Sequence, residues 1–132
     1  MQNPSPIEKW HEFADGLVDH SKLADLLADD AFFESPVVYS PQNGKELTFK
    51  YLCAAANVFS GNGFHYLNEW IGPNSAVLEF EAKVEGVTVN GVDMIFWNEE
   101  GKINRFKVMV RPFKAINLLM KLMAEQLMKK PN

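Results

Sequence analysis

Residues 76–84, AVLEFEAKV, alternate cleanly: Leu78, Phe80, Ala82 and Val84 fall on one side of an extended chain, and Glu79, Glu81 and Lys83 on the other. Successive side chains of a strand point to opposite faces, so one face of this segment is a core wall and the other is solvated. The stretch Asn90–Val110, NGVDMIFWNEEGKINRFKVMV, reads as two more strands, Val92–Asn98 and Ile103–Val110. An Asn98-Glu99-Glu100-Gly101 turn joins them, with Gly101 supplying the positive φ that such loops need. Inside this aromatic, β-branched sequence sits one carboxylate, Asp93. It is either on the solvent side of the sheet or in a pocket with a shifted pKa.

Register decides between the two. A two-residue turn at Glu85-Gly86 opposes Val84 to Val87, Ala82 to Val89 and Leu78 to Asp93, which turns Asp93 inward. A turn at Asn90-Gly91 opposes Asp93 to Thr88 instead. Counting back from the Asn98–Gly101 turn in simple register puts Asp93 opposite Lys107, on the polar side. An inward Asp93 beside an inward Phe106 therefore requires a β-bulge, which adds one residue to a strand and reverses its phase.

Helices come first in the chain. Ser5-Pro6-Ile7-Glu8 combines a serine cap, a proline at the first helical position and a glutamate three residues after the cap. Ile7, Trp10, Phe13 or Ala14, and Leu17 then form one apolar face, with His11 beside it. Ser21 is placed to cap a short second helix carrying Leu23, Leu26 and Leu27. Ala31–Tyr39, AFFESPVVY, reads as a strand bent at Pro36, and Pro41-Gln42-Asn43-Gly44 as a turn. Residues 45–59 read as a third helix with Leu47, Tyr51, Leu52, Ala55, Val58 and Phe59 on its apolar side, ended by Ser60-Gly61-Asn62-Gly63. Phe64–Ile71 is a further strand. Pro112 stops the last strand, and Phe113–Lys129 forms a final helix with a narrow polar stripe of Lys114, Asn117, Lys121 and Glu125. Its wide apolar surface has four readings: docking on its own domain, a dimer contact, a lid over a cavity, or membrane-surface binding, for which its basic content is low.

The totals bound the function. A chain of 132 residues suits a single domain over residues 1–132. With 13 basic and 17 acidic residues and a net charge of −4, it lacks the concentrated positive footprint of a nucleic-acid binder. Cys53 is the lone cysteine, so no internal disulfide or thiolate metal cluster can form. His11, His20 and His65 show no metal-ligand spacing, and no phosphate loop or dinucleotide fingerprint appears. No metal and no cofactor are expected. The first ten residues, MQNPSPIEKW, have no basic and apolar leader pattern, and no apolar run is long enough to span a bilayer. A cytoplasmic protein without a membrane partner is the expectation.

Helix, short helix, strand, helix and then long antiparallel strands is an α+β order. On LADDAFFESPVV at Leu27–Val38 and GVDMIFWNEEGKI at Gly91–Ile103, the chain resembles the nuclear transport factor 2-like superfamily, in its SnoaL-like and ketosteroid isomerase-like branches. The resemblance covers roughly residues 10–110. It implies a cone-shaped, curved antiparallel sheet wrapped by the N-terminal helices, a long C-terminal helix, an internal pocket and a sheet-to-sheet homodimer. Where the ketosteroid isomerases carry their aspartate general base this chain has Ser35, whose hydroxyl has no pKa suited to taking a carbon-bound proton. Asp93 matches the protonated aspartate that donates a hydrogen bond to the developing oxyanion. His11 is the ungapped match to the oxyanion tyrosine. The arginine and two aspartates of limonene epoxide hydrolases are not reproduced: Gly91 stands two before Asp93, and Arg111 faces away by alternation.

The resulting expectation is an apolar pocket for a small hydrophobic or carbonyl-bearing molecule, with Asp93 as its main polar contact. Trp10, Phe33, Ser35, Val37, Tyr51, Leu78, Phe80, Ile95, Trp97, Phe106, Val108 and Val110 are the candidate lining residues, each of which can equally be core. Glu34, Glu69 and His65 are weaker polar candidates. An isomerase, cyclase or dehydratase with Asp93 as acid and His11 assisting is the enzyme alternative. A filled-core interaction module is the third.

Overall fold

The computed structural model describes residues 5–16 and 20–128. Their elements are α1 (Pro6–Ala14), α2 (His20–Leu26), β1 (Leu27–Glu34), β2 (Gln42–Asn43), α3 (Lys45–Phe59), β3 (His65–Ile71), β4 (Ser75–Val84), β5 (Val87–Trp97), β6 (Ile103–Arg111) and α4 (Phe113–Leu127). The strands form one curved, open sheet in the order β2-β1-β6-β5-β4-β3. The sheet is mixed: β1 runs parallel to β6, and the other four pairings are antiparallel. A long connection rather than a hairpin links β1 to its neighbour, so no tight turn fixes their relative direction.

The Ser5 hydroxyl accepts the Glu8 backbone N–H at 3.2 Å, and Pro6 opens α1, which buries Ile7, Trp10 and Phe13. Leu17, expected on the same face, lies outside the described residues. The next helix differs from expectation. It begins at His20, one residue before the anticipated cap Ser21, and passes directly into β1 at Leu27. That strand therefore covers Leu27–Glu34 rather than residues 31–39. Leu27 and Ala28 are both buried while Asp29 and Asp30 are both exposed, and the register against β6 shifts between Leu27 and Phe32. An irregular strand shows no period-2 alternation, which is why Leu27 read as part of the helix and residues 28–30 as outside the strand.

β1 ends where the Ser35 hydroxyl accepts the N–H groups of Val37 (2.9 Å) and Val38 (3.0 Å). Gln42 and Asn43, read as turn, form the short strand β2 opposite Phe33 and Phe32. α3 has the expected bounds but a rotated face: Thr48, Leu52, Ala54 and Val58 are buried, whereas Leu47 is 39 % exposed. A count of apolar residues passes over Thr48 and so misplaces the stripe.

The two hairpins carry the site. Glu85 (φ +47°) and Gly86 (φ +80°) make the turn between β4 and β5, and Leu78 pairs with Asp93 as the first of the two registers requires. Asn90-Gly91 is not a turn. A Cβ on Gly91 would lie 2.5 Å from the Met109 carbonyl oxygen and 2.6 Å from Phe80 Cζ, so the glycine lets the Phe80 ring cross β5. Between β5 and β6 the pairing passes from Trp97–Ile103 to Phe96–Arg105, which leaves Asn104 as the extra residue. This bulge brings Ile95 opposite Phe106 and Asp93 opposite Val108, all on the inner face. The last helix docks on its own domain. Ala115 and Leu119 are buried, and α4 packs on α3, β5 and β6 while leaving Phe113 and Met128 in solvent.

Candidate functional site

Between the inner face of the sheet and the helices lies a cavity of about 730 Å³, lined mainly by apolar side chains. Asp93 reaches it from the middle of β5 and is only 6 % exposed. Two neighbours set its hydrogen bonds. The Tyr66 hydroxyl donates to Asp93 Oδ2 at 2.6 Å, and the Trp10 indole N–H donates to the same tyrosine oxygen at 2.8 Å. Among the described residues, none donates to Oδ1.

Burial pushes the Asp93 carboxyl up to about 7, against the smaller opposing effect of the Tyr66 hydrogen bond. Burial and the adjacent carboxyl likewise raise Tyr66 well above the ordinary tyrosine value. Tyr66 therefore stays a hydroxyl, and Asp93 near neutral pH divides between carboxylic acid and carboxylate. As an acid it can donate a hydrogen bond to an oxygen inside the cavity; as a carboxylate it can only accept.

Tyr66 was not among the sequence candidates. Counting β3 against β4 from the Gly72–Ser75 turn opposes Tyr66 to Glu81, on the polar face. The register shifts between Tyr66 and Asn68, so that Tyr66 pairs with Phe80 and faces inward. A bulge thus hid the tyrosine.

The remaining candidates divide by position. Trp10, Phe33, Ser35, Val37, Tyr51, Phe80, Phe106, Val108 and Val110 face the cavity with Asp93. Leu78 and Ile95 do not: both are fully buried in the cluster behind the cavity wall, because the helices cover that end of the inner face. Trp97 does not line the cavity either: it stays in phase with Asp93 and Ile95, packs at the far end of the same core cluster opposite the buried Ile103, and borders a separate surface hollow with Asp30, Phe32, Asn74, Phe96, Asn104 and Arg105. His11 also lies outside the cavity. It pairs with Glu69 at the surface and sets its ring edge-on to Tyr66, at 5.3 Å between ring centres. The place expected for its side chain is taken by Trp10, one residue earlier on α1. Ser35 reaches the cavity wall, but its oxygen is engaged by two backbone N–H groups.

Glu34 is paired with Arg105 at 2.6 Å, and His65 bonds the Gly63 carbonyl at 2.7 Å, so neither enters the cavity. Side chains that the sequence reading passed over do enter it: His20 and Asp15 at the ends of α2 and α1, and Leu119, Met120, Met123, Ala124 and Leu127 from α4. The last helix is therefore a wall of the cavity. Among the described residues, no group of three His, Cys, Asp or Glu side chains is placed to hold a metal ion. No described helix is long and apolar enough to cross a membrane.

No protein-family model and no curated protein sequence matches the chain. Solved structures do. A steroid delta-isomerase from Pseudomonas aeruginosa is 33% identical, with 92% of this chain and 88% of that chain covered and a TM-score of 0.86. An uncharacterized protein conserved in bacteria with a cystatin-like fold, from Silicibacter pomeroyi, is 32% identical over 95% of this chain and 86% of that one, with a TM-score of 0.85. A nuclear transport factor 2-like protein of unknown function from Mesorhizobium loti shares the fold at 20% identity, with 85% of this chain and 97% of that one covered and a TM-score of 0.70. With this fold, and with a relative one-third identical along nearly its whole length, the chain belongs to the nuclear transport factor 2-like superfamily, in the company of its ketosteroid isomerase-like and SnoaL-like members.

Proposed function

We propose that the protein binds a small hydrophobic molecule bearing a carbonyl group, which accepts a hydrogen bond from the neutral carboxyl of Asp93. One observation carries this reading: an apolar cavity of about 730 Å³ contains a buried carboxyl with one oxygen left for an occupant. A volume of this size suits a small organic ligand. An apolar body gains from transfer out of water, and a single polar contact fixes its orientation.

The test is binding of 2-acetylnaphthalene, an apolar ketone, followed by calorimetry or fluorescence across pH. Affinity is expected to fall as pH rises through about 7, because the carboxylate cannot donate and repels the carbonyl oxygen. The Asp93→Asn variant keeps a donor and is expected to bind with little pH dependence. Absence of binding at every pH, or an unchanged pH profile in the variant, would sink the reading.

The poised carboxyl also supports a second reading, a cofactor-independent isomerase, cyclase or dehydratase in which Asp93 is the acid. His11 has no part in it, being turned away to Glu69. Nor does Ser35 act as a base. Turnover lost in Asp93→Asn, with binding largely kept, would distinguish this enzyme from a binder.

We also propose that the outer face of the sheet pairs with a second copy. It has an apolar centre on β5 (Val92, Met94, Phe96), acidic Glu79 and Glu81 on β4, and basic Arg105, Lys107 and Arg111 on β6, by the register of the three strands. A two-fold axis through β5 would lay the acidic strand of one copy over the basic strand of the other. Light scattering is expected to give twice the 15.0 kDa chain mass, and Met94→Lys to give the monomer.

A further inference from the structure

The chain Trp10–Tyr66–Asp93 has a direction. An indole N–H can only donate, so the Tyr66 oxygen is the acceptor of the 2.8 Å bond and its single hydrogen is left for Asp93 Oδ2 at 2.6 Å. Oδ2 is thereby occupied as an acceptor. When Asp93 binds a proton, the oxygen available to carry it is Oδ1, the one with no described partner. Tyr66 itself is not among the side chains lining the cavity.

We propose that Tyr66 is a positioning residue: oriented by Trp10, it locks the Asp93 carboxyl so that the acidic proton sits on Oδ1 and is presented to the carbonyl oxygen of the ligand. Without the tyrosine hydroxyl the carboxyl can rotate, and its proton can sit on either oxygen. The lock therefore selects ligands with one acceptor at one place on the cavity wall and disfavours those that bring only donors. Other titratable groups around the pair are few. Asp15 faces Tyr66 from α1, His11 lies edge-on to the same ring and is paired with Glu69, and Tyr51 and His20 reach the cavity from α3 and α2. On β4 and β6 the residues directly opposite Asp93 are Leu78 and Val108.

This inference rests on the proposed carbonyl ligand for its purpose, but its test begins without a ligand. Side-chain carbon NMR follows the titration of Asp93 and the Tyr66 ring carbon that bears the hydroxyl. In the wild type, Tyr66 is expected to show an inflection at the same pH as Asp93, near 7. In Tyr66→Phe the Asp93 midpoint is expected to rise by half a unit or more, roughly, because a hydrogen bond that favours the carboxylate is gone. Binding of 2-acetylnaphthalene at acidic pH is expected to weaken roughly ten-fold in that variant.

A Tyr66 signal that ignores the Asp93 titration overturns the proposal, and this wild-type measurement stands even if the variant fails to fold. An unmoved midpoint with unchanged ketone affinity in Tyr66→Phe overturns it as well. If the coupled titration and the shifted midpoint are seen but the ketone does not bind, the lock is upheld and the ligand reading fails.

Discussion

A carboxyl in the centre of an apolar wall is held there by what its neighbours are unable to do. Leu78 and Val108 oppose Asp93 across the two ladders and offer it nothing polar, so among the described residues the charged form has no hydrogen-bond partner but the Tyr66 hydroxyl. Removal from water then favours the neutral acid. Two residues earlier, Gly91 makes room for the Phe80 ring beneath β5. Gly91→Ala is expected to destabilise the protein by about 2–3 kcal/mol, because the new methyl meets a backbone oxygen that cannot rotate aside. Denaturant unfolding would show this as a lower midpoint with an unchanged slope.

Among the elements, irregular strands separate what could be read from what could not. The cap at Ser5, the Glu85-Gly86 turn and the bounds of α3 follow from short-range chemistry, and each was readable. The need for a bulge beside Asp93 could also be deduced, because two turns with fixed registers conflicted. Its place at Asn104 could not, since any residue there satisfies the count. The extra residue at Leu67 leaves no such conflict, so nothing in the sequence signals that Tyr66 turns inward. The contiguous Asp29 and Asp30 concealed the start of β1 in the same way. Deleting Asn104 is expected to abolish the cooperative thermal transition, since every residue beyond it in β6 would change face, taking Phe106 out of the core. Ser5→Ala, in contrast, should cost only about 1 kcal/mol in the same melt, the usual value of one cap.

For the molecule as a whole, the cavity is a thermodynamic liability that depends on pH. Asp93 titrates near 7 in the folded chain and near 3.8 when exposed, so between those values the folded state holds a proton that the unfolded state has lost. Stability contributed by that proton falls as pH rises, by up to about 1.4 kcal/mol per unit, and is gone above about pH 7. Asp93→Asn does not titrate. Its melting temperature relative to wild type is expected to climb across this window and then level off, which calorimetry at a series of pH values would measure. A parallel course for the two proteins would place the Asp93 midpoint elsewhere.

The extra residue at Leu67 acts on two scales at once. β3 is an edge of the open sheet, with Leu67, Trp70 and Ile71 substantially exposed. A flat strand with such a surface is a template for uncontrolled pairing, and a bulge twists it out of shape for that purpose. The same insertion turns Tyr66 toward Asp93. Losing one residue from β3 is therefore expected to damage solubility and the site together, although the strand lies at the periphery of the fold.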